Sequence, residues 1–138
     1  MLNSLRHVEM TMQTVPGIIE QACSDMEEEY GKSLPSAISK AVWMMKGHPI
    51  VIYDSRAWEG LRGSGLAPGY YGYRRYFNAW FTFFDRSETQ ESLDDAVASL
   101  SGLSRIDNAE LKELTASGRL RNRIVDLWLW NKGAPRRS

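Results

Sequence analysis

Two side chains capable of covalent and electrostatic chemistry lie in the stretch from Leu34 to Trp58, LPSAISKAVWMMKGHPIVIYDSRAW. Lys40 carries an amine that, once neutral, can attack an electrophilic carbon and form a Schiff base. Asp54 carries a carboxylate that can stabilise positive charge developing nearby in a transition state. An amine and a carboxylate at adjacent helix ends could therefore serve nucleophilic and electrostatic catalysis.

The residues around Lys40 and Asp54 predict how the two are positioned. Pro35 is tolerated in a first helical turn, and Gly47 followed by Pro49 ends a helix, so we expect a helix over Leu34–Gly47. The apolar run Ile50–Ile52 is too short to be a helix and too apolar to be exposed. Asp54 is a typical N-cap, which predicts a second helix over Asp54–Arg62, joined to the first by a buried extended link.

The stretch resembles the helix-hairpin-helix DNA glycosylase superfamily, and is most similar to its 8-oxoguanine glycosylase branch. The family's hairpin reads LPGVG-x-K, and the segment LPSAISK, which ends at Lys40, keeps the leucine, proline and lysine at that spacing. The family's second motif reads V-D-x-x-x-W, and YDSRAW keeps its aspartate and tryptophan, Asp54 and Trp58. The C-terminal RNRIVDLWLWNKG is similar to the closing helix of small bacterial proteins with the glycosylase fold.

The resemblance implies an all-α, glycosylase-like fold and a DNA-base N-glycosylase activity in DNA repair. It implies that Lys40 is the nucleophile and Asp54 its electrostatic partner, without a metal or another cofactor. The residues beside these two are then expected to contact the substrate or DNA: Ser39, Tyr53, Arg56 and Trp58.

The same residues also have purely structural interpretations. Asp54 could serve only as an N-cap, and Lys40 could be an exposed lysine of a first turn. The hairpin glycines of the family, which let a backbone approach a phosphate, are replaced by Ser36 and Ile38. These differences favour an alternative function, a non-catalytic module that keeps the fold and binds DNA or a partner protein, for example in bacterial defence.

An aromatic segment supplies a second candidate surface. Tyr73, Phe77, Trp80 and Phe84 recur at helical spacing and predict one buried stripe. Tyrosines and arginines at the start of this helix fall outside the stripe. They form either a surface cluster with arginine stacked on tyrosine or a platform that stacks a base while arginines hold phosphates. The residues assigned to this DNA-binding platform are Tyr71, Arg74 and Arg75.

The remaining pattern predicts a single all-α domain over residues 1–138 with six or seven helices. Further helices are expected from Pro16 to Tyr30, over 88–101, from Asp107 to Gly118 and over 119–131. The last of these is expected to bury Leu120, Ile124, Leu127 and Trp128, and to point Arg123 and Asp126 elsewhere. Residues 1–14 fit a helix or a frayed arm, and we expect them and residues 134–138 to be flexible.

Composition limits the partners and the compartment. Seventeen basic residues balance seventeen acidic ones, so no net field recruits nucleic acid, but Lys and Arg outnumber acids from Lys40 to Arg86 and beyond Arg119. We therefore expect DNA or a nucleoside as the partner, with a protein partner as the alternative. A single cysteine, Cys23, excludes an internal disulfide and suggests a reducing compartment. No apolar run reaches transmembrane length, so a cytoplasmic protein without membrane contact is expected.

Overall fold

The computed structural model describes residues 2–66, 72–101, 109–110, 112–113 and 118–134. Within these ranges, a 3₁₀ helix, Leu2–His7, is followed by six α-helices whose bounds are defined. The α-helices are α1 (Val15–Tyr30), α2 (Pro35–Lys46), α3 (Ser55–Gly63), α4 (Tyr73–Phe84), α5 (Ser87–Ser101) and α6 (Arg119–Lys132). No residue of the described ranges is in a β-strand, and the helices form one compact domain, so the all-α prediction is confirmed.

The predicted organisation around Lys40 and Asp54 is confirmed. Helices α2 and α3 are consecutive and are joined by an extended link in which Ile50 and Val51 are fully buried. Gly47 ends α2 with a positive φ of 68°, a backbone conformation that glycine adopts without strain. The expected helix between Asp107 and Gly118 lies largely outside the described residues.

Helices α3 and α6 form the closest helix pair because two glycines allow their backbones to touch. A Cβ atom on Gly60 would lie 2.2 Å from the carbonyl oxygen of Leu129. A Cβ atom on Gly133 would lie 1.8 Å from the carbonyl oxygen of Arg56. Any side chain at either position would therefore push α3 and α6 apart.

Helix α4 provides the aromatic centre of the core. Tyr73, Phe77 and Trp80 are buried, and Phe84 stacks on Trp80 with ring centroids 5.1 Å apart, which confirms the predicted stripe. Tyr76 is also fully buried. Aromatic rings of this size contribute much of the apolar surface that a small helical domain removes from water.

The prediction for the buried face of α6 is only partly correct, since Ile124 and Trp128 pack against the core as predicted but two other positions differ. Val125 and Leu129 are fully buried, whereas Leu127, which was predicted to be buried, is 46% exposed. Asp126, which was predicted to point away from the core, is only 7% exposed. The close approach to α3 sets the rotation of α6. Polar groups elsewhere in the fold form hydrogen bonds with the polar side chains of α6. The buried and half-buried positions of α6 therefore include polar residues that a hydrophobic pattern cannot assign.

Candidate functional site: two carboxyl groups at one cavity

The buried link before Asp54 is held in place by side chains from three helices. The hydroxyl of Tyr73 donates to the carbonyl oxygen of Val51 at 2.7 Å, and the Ser39 hydroxyl accepts from the N–H of Tyr53 at 2.8 Å. The side-chain amide of Asn122 donates to the carbonyl oxygen of Ile50 at 3.4 Å. Buried backbone groups outside regular structure need such partners. The link is thereby fixed, and with it the position of Asp54.

Asp54 caps α3 as predicted. Its Oδ1 accepts hydrogen bonds from the backbone N–H groups of Arg56 at 2.8 Å and Ala57 at 2.9 Å. The residue itself is in the extended conformation, and its side chain is half-buried. An N-cap carboxylate satisfies N–H groups that have no intrahelical partner, so Asp54 has a structural role whatever else it does.

Asp126 is the second carboxyl group of the region and lies in the middle of α6. Its Oδ1 accepts a hydrogen bond from the indole Nε1 of Trp80 at 2.9 Å. Burial raises the pKa of Asp126 from 3.8 to about 7, against the lowering effects of the Trp80 hydrogen bond and of the nearby Arg123 cation. The Asp54 carboxylate raises the pKa further. Asp126 therefore keeps its proton to a much higher pH than an ordinary aspartate does.

The two carboxyl groups face one cavity of about 380 Å³, which we call the carboxyl cavity. This volume lies within the range typical of small-molecule sites. The link and α3 form one wall and α6 forms the other, through Ile52, Asp54, Ala57, Arg123, Asp126, Leu127 and Trp130.

A cation–π pair borders the carboxyl cavity. The guanidinium of Arg56 lies over the ring of Trp130, 3.4 Å from its centroid, and Arg56 Nε donates to the Trp130 carbonyl oxygen at 3.0 Å. The pair ties the first turn of α3 to the last turns of α6. It also holds an aromatic ring, 41% exposed, beside the cavity with a cation against it.

Tyr76 lies behind the two carboxyl groups. Its ring is stacked on Trp58 with centroids 6.0 Å apart, and packs against Tyr53 at 5.0 Å. Burial raises the pKa of Tyr76 well above its usual value, and the charges of Asp126 and Asp54 raise it further. The buried hydroxyl lies near the backbone of Asp54 but reaches hydrogen-bond geometry with no described residue.

The arrangement provides a proton donor and a carboxylate on one cavity. Two carboxyl groups whose environments differ can divide the roles of acid and electrostatic stabiliser, because the buried group keeps its proton to a higher pH. Asp126 is the carboxyl group that can supply a proton in such an arrangement. Asp54, held by two backbone N–H groups at a fixed position, supplies negative charge.

The structure does not bring Lys40 to this cavity. Lys40 is exposed on α2, and it is not among the residues that line the carboxyl cavity. Ser39 is fully buried, and its hydroxyl donates to the Ser36 carbonyl oxygen while accepting from Tyr53. Trp58 is 2% exposed and belongs to the core. The structure therefore places Ser39 and Trp58 in the interior.

The other residues expected to bind the substrate are spread over the surface. Tyr53 lines a different cavity, of about 320 Å³, together with Cys23 and Tyr73. Arg74 and Arg75 are exposed, and Arg74 forms an ion pair with Glu20 at 3.3 Å. Tyr71 lies outside the described residues. Of the residues assigned from the sequence, Asp54 lines the carboxyl cavity and Arg56 borders it through Trp130.

Sequence reasoning missed Asp126. Its one detectable signal is an acid inside the strongly aromatic and aliphatic run IVDLWLW, where a charged residue must either be exposed or have a partner. The partner, Trp80, lies on another helix, so only the folded structure reveals it.

Neither a metal centre nor a membrane span is found in the part of the chain that the structure describes. No cluster of three or more His, Cys, Asp or Glu side chains there could hold a metal ion. None of the described helices is both long enough and apolar enough to cross a bilayer.

Comparisons with protein-family models, with curated proteins and with solved structures find no match for this chain. The similarity to helix-hairpin-helix glycosylases therefore rests on the two motifs around Lys40 and Asp54 and on the C-terminal segment, and stays a prediction.

Proposed function

We propose that the chain hydrolyses N-glycosidic bonds of a nucleoside or of a base in DNA, with Asp54 and Asp126 as its catalytic residues. The observation that carries the proposal is the carboxyl cavity itself. It joins an aspartate fixed at a helix N-terminus to a second, buried aspartate whose pKa is raised to about 7. The motif resemblance around Asp54 agrees with the same reaction class.

The proposed reaction assigns one role to each carboxyl group. As the bond between C1′ and the base nitrogen breaks, its electron pair goes to the base, and Asp126 donates a proton to that leaving group. The carboxylate of Asp54 stabilises the positive charge that builds on the sugar. Water adds to C1′ and releases a proton, which restores Asp126 for the next turnover.

Water is the preferred nucleophile because of where Lys40 lies. A lysine nucleophile must be close to C1′ and must lose its proton, which requires burial or a neighbouring cation. Lys40 is exposed and outside the carboxyl cavity. The proposal therefore keeps the role predicted for Asp54 and transfers the second catalytic role from Lys40 to Asp126.

The stability cost of Asp126 supports a role in chemistry. An asparagine there could still accept the Trp80 hydrogen bond through its amide oxygen, and it would carry no charge to desolvate. A buried ionisable aspartate whose pKa is raised instead destabilises the fold as pH rises. A carboxyl group held near pH 7 is well suited to donate protons at that pH.

Release of free base from a panel of nucleosides and of oligonucleotides with damaged or deaminated bases tests the proposal. Asp126→Asn should lower the rate by about 10²- to 10⁴-fold, the usual contribution of a general acid, and Asp54→Asn should also slow it. Activity should fall as pH rises through about 7, where Asp126 loses its proton. No release of base from any substrate, or release unaffected by both substitutions, would exclude this function.

The second candidate is the non-catalytic module that binds DNA or a protein partner, as in bacterial defence. The exposure of Lys40 outside the cavity and the capping role of Asp54 favour it, because each residue then needs no catalytic explanation. Salt-sensitive binding of duplex or single-stranded DNA without any release of base would support this candidate.

A further inference from the structure

A second concavity, of about 330 Å³, lies where α5 begins and α6 ends. Two cations from different parts of the fold converge beside it on one residue. Lys132 Nζ donates to the hydroxyl of Ser64 at 2.7 Å, and Arg86 Nη2 donates to the carbonyl oxygen of Ser64 at 3.2 Å. Both cations line the concavity. Positive charge is therefore concentrated at this end of the molecule.

Neither cation has an acidic partner among the described residues. Ion pairs within 4.0 Å occur elsewhere, as between Arg121 and Asp94, but none includes Arg86 or Lys132. Two like charges drawn to one serine repel each other. A shared anion would remove that repulsion and would make charge-assisted hydrogen bonds with both side chains.

Thr89 is a second, independent indication that an anion binds here. It lies in the first turn of α5, is 6% exposed and lines the concavity, yet its hydroxyl makes no hydrogen bond within the described ranges. The hydroxyl is therefore available to donate to an acceptor bound in the concavity. The free N–H groups and the positive end of the dipole of a 15-residue helix also favour an anion here.

We propose that this concavity binds a phosphate group, held by Arg86, Lys132 and Thr89. Phosphate oxygens can accept hydrogen bonds from a guanidinium, an ammonium and a hydroxyl at once. Glu88 also lines the concavity, and its carboxylate weakens the attraction without pairing with either cation. The site is separate from the carboxyl cavity, shares no lining residue with it and does not depend on the proposed hydrolysis.

Titration of the protein with inorganic phosphate, followed by NMR at the amides of Thr89 and Ser92, tests the site. Saturable shifts are expected in the wild type. In the double variant Arg86→Gln/Lys132→Gln, binding should be weaker by about tenfold or more, because two charge-assisted hydrogen bonds are lost. Lys32→Gln, which removes an exposed positive charge outside the concavity, should bind as the wild type does. Absence of saturable shifts, or equal loss in the control variant, would overturn the site.

A variant that binds phosphate more tightly cannot be explained by a folding defect, because a folding defect would weaken binding. Glu88→Gln removes the opposing charge and should tighten phosphate binding by about two- to fivefold, the size of an exposed pairwise charge effect. Unchanged or weaker binding in this variant would contradict the proposed geometry.

A labelled single-stranded oligonucleotide identifies where the phosphate comes from. If it binds more tightly than inorganic phosphate and loses that affinity in the double variant, the site holds a nucleic-acid backbone. If phosphate binds and the oligonucleotide does not, the site holds a free phosphate or a small phosphate ester. Either result supports the phosphate site.

Discussion

Asp54 and Asp126 face the same cavity, but the fold treats them in opposite ways. Asp54 is half-buried at the start of α3, where two backbone N–H groups donate hydrogen bonds to its carboxylate. Asp126 lies in the middle of α6 beneath the surface, where burial opposes its charge and raises its pKa to about 7. One carboxyl group strengthens the structure at neutral pH and the other weakens it. A residue that weakens the fold where a neutral substitute would fit is the better indicator of chemistry.

The largest effect expected from this contrast is in the pH dependence of stability. Asp126 keeps its proton in the folded state up to about pH 7, whereas the unfolded chain loses it near pH 3.8. Between these values the folded state binds more protons, so the contribution of Asp126 to stability is present at low pH and is lost as pH rises. The loss approaches about 4 kcal/mol by pH 8.

Urea unfolding at pH 5 and pH 8 measures about 3 kcal/mol of this loss, since part of it has already occurred by pH 5, with Asp126→Asn as the matched variant. Asparagine does not titrate, so the variant should lose much less stability over the same interval and should exceed the wild type at pH 8. Parallel pH dependence in the two proteins would mean that Asp126 does not cause the loss.

The second effect concerns Trp80, which donates the one side-chain hydrogen bond that the Asp126 carboxyl group accepts within the described residues. Trp80→Phe removes the donor and part of the packing, and should destabilise the protein by about 2 kcal/mol at neutral pH. Because that hydrogen bond favours the carboxylate, its loss should also raise the pKa of Asp126 further.

Trp43→Phe is the control, because the buried Nε1 of Trp43 has no hydrogen-bond partner in the described part of the chain. Removing an unsatisfied donor should cost clearly less than removing a satisfied one. Equal losses of stability in the two variants would show that ring volume alone accounts for the effect.

A smaller effect is expected at Asp54. Asp54→Ala should destabilise the protein by about 1 kcal/mol through loss of the cap, whereas Asp54→Asn should change stability little because asparagine caps about as well. Thermal unfolding of both variants, compared with their rates of base release, separates the cap from the chemistry. If Asp54→Asn were as unstable as Asp54→Ala, the negative charge rather than the cap geometry would be the stabilising factor.

The smallest effect is expected at Lys40. Because Lys40 is exposed and lies outside the carboxyl cavity, Lys40→Gln should alter stability by no more than about 0.5 kcal/mol and should leave base release unchanged. Borohydride should trap no covalent adduct between the wild type and abasic DNA. An adduct that Lys40→Gln abolishes would restore the lysine as nucleophile.

Features that depend on neighbouring residues could be predicted from the sequence, whereas features that depend on contacts between distant residues could not. The helix pair around Asp54 was predicted because caps, prolines and glycines act within a few residues of the chain. The buried face of α6 was predicted only in part, because it also depends on the close approach of Gly60 and Gly133 to the backbone of the partner helix. Asp126 was missed for the same reason, since its hydrogen bond comes from Trp80, far away in sequence.

The second concavity also depends on contacts between residues that are distant in sequence. Arg86 and Lys132 are ordinary surface cations in sequence, and only their shared contact with Ser64 makes them unusual. Two residues far apart in sequence must meet before like charges can converge or an acid can be buried beside a partner. Residue type and spacing do not encode that contact.

The proposed catalytic role of Asp126 requires that this residue keeps its proton near neutral pH. Titration of the aspartate side-chain carboxyl carbons by ¹³C NMR, with Asp126→Asn to assign the resonance, measures this protonation without a substrate. The Asp126 resonance is expected to titrate with a midpoint near pH 7. A midpoint near 4, the value of an ordinary aspartate, would contradict the proposed role, because Asp126 would then hold no proton to donate at neutral pH.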